Sequence, residues 1–165
     1  MKESDMHAVR KFCLEDGGSL KLLGDVDEKD LIILENYGKQ LMIYKNYAEA
    51  INIFRLLMTI DQWNGDYFYS SGLCYREVGE LEDAIRCFAH SAIINSDDPR
   101  SAFYSAEILL QMDKKELAIE AYKSVLAICK TYKKWEMYEK NAIESLLKLE
   151  GEEEDYANIA ETGHS

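Results

Sequence analysis

The chain has 165 residues, 19 basic and 31 acidic, for a formal charge of −12 at pH 7. That length suits one domain with a sizeable core, and 47% apolar with 30% charged residues excludes both wholesale disorder and a membrane span. One proline and nine glycines point to an all-helical fold, because β-rich folds need more turn residues, and the negative charge counts against nucleic acid and anionic membrane surfaces.

Met1-Lys2-Glu3-Ser4-Asp5 lacks the basic-then-apolar pattern of an export signal, so a cytoplasmic protein is expected. The longest apolar stretches, such as Leu31 to Leu34, are far too short to span a bilayer. Met6 to Leu14 reads as helix, Gly17-Gly18 breaks it, and Leu20, Leu22 and Leu23 form a short apolar stretch. These groups can pack in cis or against a second subunit, so residues 1–30 form an N-terminal helical segment with a candidate dimer contact. Asp25, Asp27, Glu28 and Asp30 resemble the start of a calcium loop. The sixth place holds Asp30 instead of glycine and the twelfth holds Asn36 instead of a bidentate glutamate, so an acidic linker is the better reading.

From residue 31 a 34-residue period sets in. Gly38, Gly72 and Ala106 share that stride, as do Ala50, Ala84 and Ala118, and then Phe54, Phe88 and Tyr122. Aromatic residues are 11% of the chain, so three in register arise by chance in about one placement per thousand. The spacing has a mechanical reason: antiparallel helices approach closely only where side chains are small, and a ring one turn later covers the crossing. This is the tetratricopeptide (TPR) pattern, in three repeats at 31–64, 65–98 and 99–132.

Helix-end signals agree with the period. Asp98-Pro99 places an N-cap residue and a first-turn proline at the opening of repeat three. Asn46 with Glu49 has the spacing of a capping box, and Gly79 sits at the turn of repeat two. A stack of repeats needs a cover for its last apolar face. Trp135, Tyr138, Ala142, Leu146 and Leu149 form one helical stripe, which assigns 133–150 as a capping helix. Residues 151–165 are acidic without an apolar face, and a frayed tail is expected there.

Catalytic and metal constellations are not expected. Cys13, Cys74, Cys87 and Cys129 are far apart with no CxxC, as suits packed thiols in a reducing compartment. His7, His90 and His164 fall on three different elements outside any metal-ligand spacing. Gly17-Gly18-Ser19 opens no phosphate loop. The reading is a non-enzyme without metal or cofactor.

What remains is a surface. In stacked TPR hairpins the first helix of each repeat lines the concave side, on a stripe distinct from the crossing residues. That stripe comprises Ile32, Glu35, Lys39 and Met42, then Asp66, Tyr69, Leu73 and Arg76, then Arg100, Phe103, Glu107 and Leu110. Apolar groups among charges of both signs suit a groove for an extended peptide; packing against the N-terminal segment or a second subunit is the alternative. Glu35, Asp66 and Glu107 interrupt Lys39, Arg76 and Arg100, so the groove lacks the uniformly basic lining of a carboxylate clamp.

Phe12-Cys13-Leu14-Glu15-Asp16-Gly17-Gly18-Ser19-Leu20 resembles the Phe-Leu-x-x-Gly-Gly-Thr-Leu lead-in of the class II chaperones of bacterial type III secretion. Asp98 to Glu107 is similar to that family's third-repeat opening, with Ser105 and Ile108 in place of the usual Ala and Cys. The resemblance covers about residues 8–150 and implies a cytoplasmic chaperone for pore-forming translocators, with an extended cargo segment, often Pro-x-Leu-x-x-Pro, held in the groove. It implies pockets at Met42, Tyr69, Leu73, Phe103 and Leu110, cargo orientation by Arg76, Arg100 and Glu107, and a dimer contact in the N-terminal region. A generic TPR adaptor or assembly scaffold is the competing reading of the same groove.

Overall fold

A computed structural model describes residues 26–162 together with Lys11, Gly18, Ser19, Lys21 and Gly24. The expected helix over 6–14, most of the Phe12–Leu20 lead-in, the leucines at 20, 22 and 23, and His7, Cys13 and His164 lie outside the described residues.

Among the described residues there are seven α-helices, one 3-10 turn and no strand, the all-helical fold that the proline count and the period imply. In chain order they are α1 (Glu28–Ile43), α2 (Tyr47–Ile60), α3 (Gly65–Val78), α4 (Leu81–Ile94), α5 (Arg100–Gln111), α6 (Lys115–Thr131), the 3-10 turn Lys133–Trp135, and α7 (Glu136–Thr162). The chain divides into two compact units, Met1–Asn95 and Ser96–Ser165.

The first unit holds the hairpins α1–α2 and α3–α4. Phe54, Phe88, Ala50 and Ala84 are each 0% exposed, and the rings lie across the glycines of the facing helices. A Cβ on Gly72 would sit 2.8 Å from Phe88 Cε1, and one on Gly38 would sit 3.0 Å from Phe54 Cζ. Real Cβ atoms essentially never come within 3.0 Å of a neighbour, so the missing side chain is what lets the helices meet at Gly72, and the approach at Gly38 is nearly as tight. The second unit holds α5–α6, with Ala106 and Ala118 buried at the crossing and Tyr122 over it, and adds α7.

All three hairpin turns share one hydrogen-bond pattern. Lys45 N–H donates to Met42 O and Asn46 N–H to Leu41 O; Gly79 and Glu80 repeat this onto Arg76 O and Tyr75 O, and Asp113 and Lys114 onto Leu110 O and Leu109 O. These are paired Schellman bonds, which close a helix only through a left-handed residue. Lys45 (φ 59), Gly79 (φ 84) and Asp113 (φ 58) supply it, again 34 residues apart.

That turn corrects the capping box expected at Asn46. Asn46 does precede α2, but its side chain makes no capping hydrogen bond. Its backbone N–H, which Glu49 would have to reach, is already donated to Leu41 O at 2.8 Å. Asp98 behaves as the sequence implies: its carboxylate accepts the Arg100 N–H at 2.9 Å and also holds the Arg100 guanidinium. Pro99 is helical in backbone, with φ −78 and ψ −9.

The last helix differs from expectation. It runs from Glu136 through Gly151 to Thr162, past the 133–150 bounds expected for the capping helix. The 151–162 stretch is rich in glutamate and alanine, good helix formers that offset a single glycine's cost of about 1 kcal/mol. Ala142, Leu146 and Leu149 are buried on this helix. Trp135, expected on the same stripe, lies in the 3-10 turn, where its Nε1–H donates to Asp97 O at 2.9 Å.

Candidate functional site

In the first unit the expected stripe falls on α1 and α3. Ile32 is 50% exposed, Glu35 pairs with Lys39 one turn on, and Met42 is half-buried against the core. On α3, Asp66 is exposed at the first turn, where Asn64 caps the helix by accepting the Asp66 N–H. Tyr69 is half-buried with its ring 5.9 Å from that of Phe88, inclined at 54°. Leu73 and Arg76 are half-buried as well, and Arg76 pairs with Glu77 at 3.1 Å. Helical geometry explains the grouping, since residues three, four and seven apart share a face. The same arithmetic extends the stripe to Ile43, eleven residues after Ile32 and 77% exposed, which the expected set omits.

In the second unit α5 carries the corresponding positions with a different outcome. Arg100 is half-buried, held by Asp98 and lying 5.8 Å from the centre of the Trp135 ring. Glu107 is exposed and Leu110 half-buried. Phe103, to which the resemblance assigns a pocket role, is 7% exposed within the core of the unit. Its ring is flanked by those of Tyr104, Tyr122 and Tyr138, at 5.8, 5.8 and 5.3 Å, and Tyr138 arrives on α7. The last helix therefore covers the position that Tyr69 leaves half-open in the first unit.

The N-terminal region meets the first unit at the end of α2. Gln62 Nε2 donates to Gly18 O at 2.7 Å, and Lys21 Nζ lies 3.2 Å from Asp61 Oδ2. These contacts hold Gly18 and Lys21 beside the α2–α3 connection.

Among the described residues, the three cysteines are packed thiols. Burial pushes the Cys74 thiol up to about 12 and raises Cys87 and Cys129, so all three stay protonated at neutral pH. Burial also raises Tyr122, which a hydrogen bond to Ser145 partly opposes. Among the described residues no group of three or more His, Cys, Asp or Glu could hold a metal ion, and no helix is long and apolar enough to cross a membrane.

Paired helices at a 34-residue stride, small residues at each crossing, and a terminal helix over the last pair define a three-repeat TPR protein. No family model matches the chain. Low calcium response locus protein H of Yersinia pestis is 30% identical over 111 residues, which are 67% of this chain and 64% of that protein. The match thus spans just under two thirds of the curated relative's length. A type III secretion system complex from Aeromonas hydrophila contains a chain of the same fold, with a TM-score of 0.82 and 26% identity over 89% of this chain and 97% of that one. The Yersinia enterocolitica type III secretion chaperone SycD, solved with a peptide of the translocator YopD, aligns with a TM-score of 0.74 and 18% identity over 79% of this chain and 99% of that one. The chain is thus similar in sequence to low calcium response locus protein H over the matched 111 residues and shares the fold of SycD.

Proposed function

We propose that this protein is a cytoplasmic chaperone of type III secretion in bacteria, which binds an extended segment of a pore-forming translocator and does so without catalysis, metal or cofactor. The observation that carries the reading is the state of the α1 and α3 stripe: Met42, Tyr69 and Leu73 stay half-exposed beside Glu35, Lys39 and Arg76 although the helix crossings beneath are filled. A stripe that only packed would be buried, and one that only faced water would be polar. Half-buried apolar side chains flanked by charges of both signs suit an extended chain with alternate apolar side chains, whose backbone the polar groups orient. The peptide complex of SycD, a chain of the same fold, supports the same reading.

Translocators carry apolar membrane segments that would aggregate before export, and a partner with a net charge of −12 keeps the pair in solution. A proline-containing segment is already extended and loses little entropy on binding. The N-terminal segment 1–30 provides a homodimer contact in this proposal. The test is co-expression with a translocator of the same secretion system, followed by affinity purification. Wild-type protein retains the translocator; a Met42→Asp, Tyr69→Ala, Leu73→Asp triple variant with unchanged helical circular dichroism loses it. Retention by that variant overturns the assignment of the stripe.

A further inference from the structure

The terminal helix has a second, outward face. Ala142, Leu146 and Leu149 of α7 turn inward and are buried, whereas Met137, Ile143 and Leu147 are 64%, 43% and 63% exposed. A shallow hollow of about 330 Å³ lies over Ile143, edged by Glu136, Glu139, Lys140 and Glu144. Along this face one row runs Glu136, Lys140, Glu144 and Lys148, each four residues from the next and each exposed. Lys140 Nζ lies 3.8 Å from Glu144 Oε1 within the helix, with both side chains largely in water. Pairs of that kind support the helix and account for the alternating charge, but not for three large apolar side chains left uncovered beside them.

We propose that this outer face of α7 is an interface between two copies of the chain, packed antiparallel about a two-fold axis level with residue 142. The charge row selects that occupant. Read backwards it keeps its spacing with every sign exchanged, so Glu136 of one copy falls opposite Lys148 of the other, and Lys140 opposite Glu144. A two-fold interface requires such self-complementarity, because each of its contacts is made twice with the roles exchanged. The same axis brings the two Ile143 side chains together, with Leu147 beside them on the face that is otherwise left to water. Two chains of net charge −12 repel each other on average; in this row the four charges sum to zero and pair. The contact is independent of cargo binding and distinct from one made by the N-terminal segment, since all of its residues lie on α7.

The experiment measures the mass of the full chain by sedimentation equilibrium at about 100 µM, a concentration suited to an interface of one helix pair, which is smaller than the standard size. Lys140→Glu with Lys148→Glu makes the row wholly acidic, and Glu136→Lys with Glu144→Lys makes it wholly basic. Wild-type protein is expected to show at least twice the mass of either variant alone, with helical circular dichroism unchanged in both. An equal mixture of the two variants is expected to regain the wild-type mass, because opposite rows then face each other. Ile143→Asp is expected to lose the larger species as well, and mixing it with either charge variant does not bring it back. Any contribution of the N-terminal segment to the mass is common to all these proteins. A wild-type mass equal to that of the charge variants overturns the interface, and so does a mixture that stays at the variants' mass. Both charge variants are expected to retain a co-expressed translocator; its loss at unchanged mass gives the face to the cargo and likewise overturns the proposal.

Discussion

Tyr69 and Phe103 occupy the same address in successive repeats, 34 residues apart, yet one is half-open and the other sealed. In the first unit Tyr69 of α3 leans on Phe88 and stays half-buried. In the second, α7 lays Tyr138 against Phe103 and closes it into a cluster with Tyr104 and Tyr122. A repeat position fixes which way a side chain points from its helix; what lies opposite decides whether that residue binds a partner or holds the fold. The open stripe is therefore densest on α1 and α3, whereas the terminal helix converts part of the α5 stripe to core and builds the Leu110 hollow beside it.

The largest effect that would break this contrast is on stability. Phe103→Ala removes a ring from a filled core and should cost about 3–5 kcal/mol, seen as a large fall in melting temperature. Tyr69→Ala should cost well under half as much, because its ring is only partly enclosed. Equal losses would mean that the two aromatic positions are equivalent after all.

A second comparison concerns the crossings. Gly72→Ala drives a Cβ to 2.8 Å from a Phe88 ring that is 0% exposed and cannot retreat. Even after about 1 kcal/mol of regained helix propensity, a net loss of about 1–2 kcal/mol follows. Gly38→Ala meets Phe54 at 3.0 Å and should lose less. Urea unfolding of both variants checks the ranking, and a Gly72→Ala protein as stable as wild type would mean that the crossing has slack.

The smallest effect lies in the turns. Lys45 and Asp113 hold the left-handed conformation that Gly79 adopts without strain. Lys45→Gly and Asp113→Gly should each stabilise by about 0.5–1 kcal/mol, and Gly79→Ala should destabilise by about 1 kcal/mol. Denaturant midpoints measure all three, and a loss on Lys45→Gly would show that this lysine contributes through contacts of its side chain.

Much of the architecture is written locally. The stride of Gly38, Gly72 and Ala106 against Phe54, Phe88 and Tyr122 specifies antiparallel helix pairs, since steric fit at a crossing depends on the few residues that meet there. The Asp98 cap is equally legible, because a side chain and the N–H it accepts lie two residues apart. The Asn46 capping box was misleading for a related reason: its N–H had a competing acceptor in the preceding turn, and a two-residue motif does not reveal such competition. The left-handed places of the turns showed in composition only at Gly79.

Residue types and their periodicity alone determined that this chain is helical, that it repeats every 34 residues, and which edge of each first helix points away from its partner, since helical pitch and side-chain volume are local properties. Only the tertiary structure decided that Phe103 belongs to the core, that Trp135 anchors a 3-10 turn through Asp97, and that Leu110 faces Lys148 across a hollow. Each of these depends on a helix arriving from some 35 or more positions along the chain, and burial is set by what arrives.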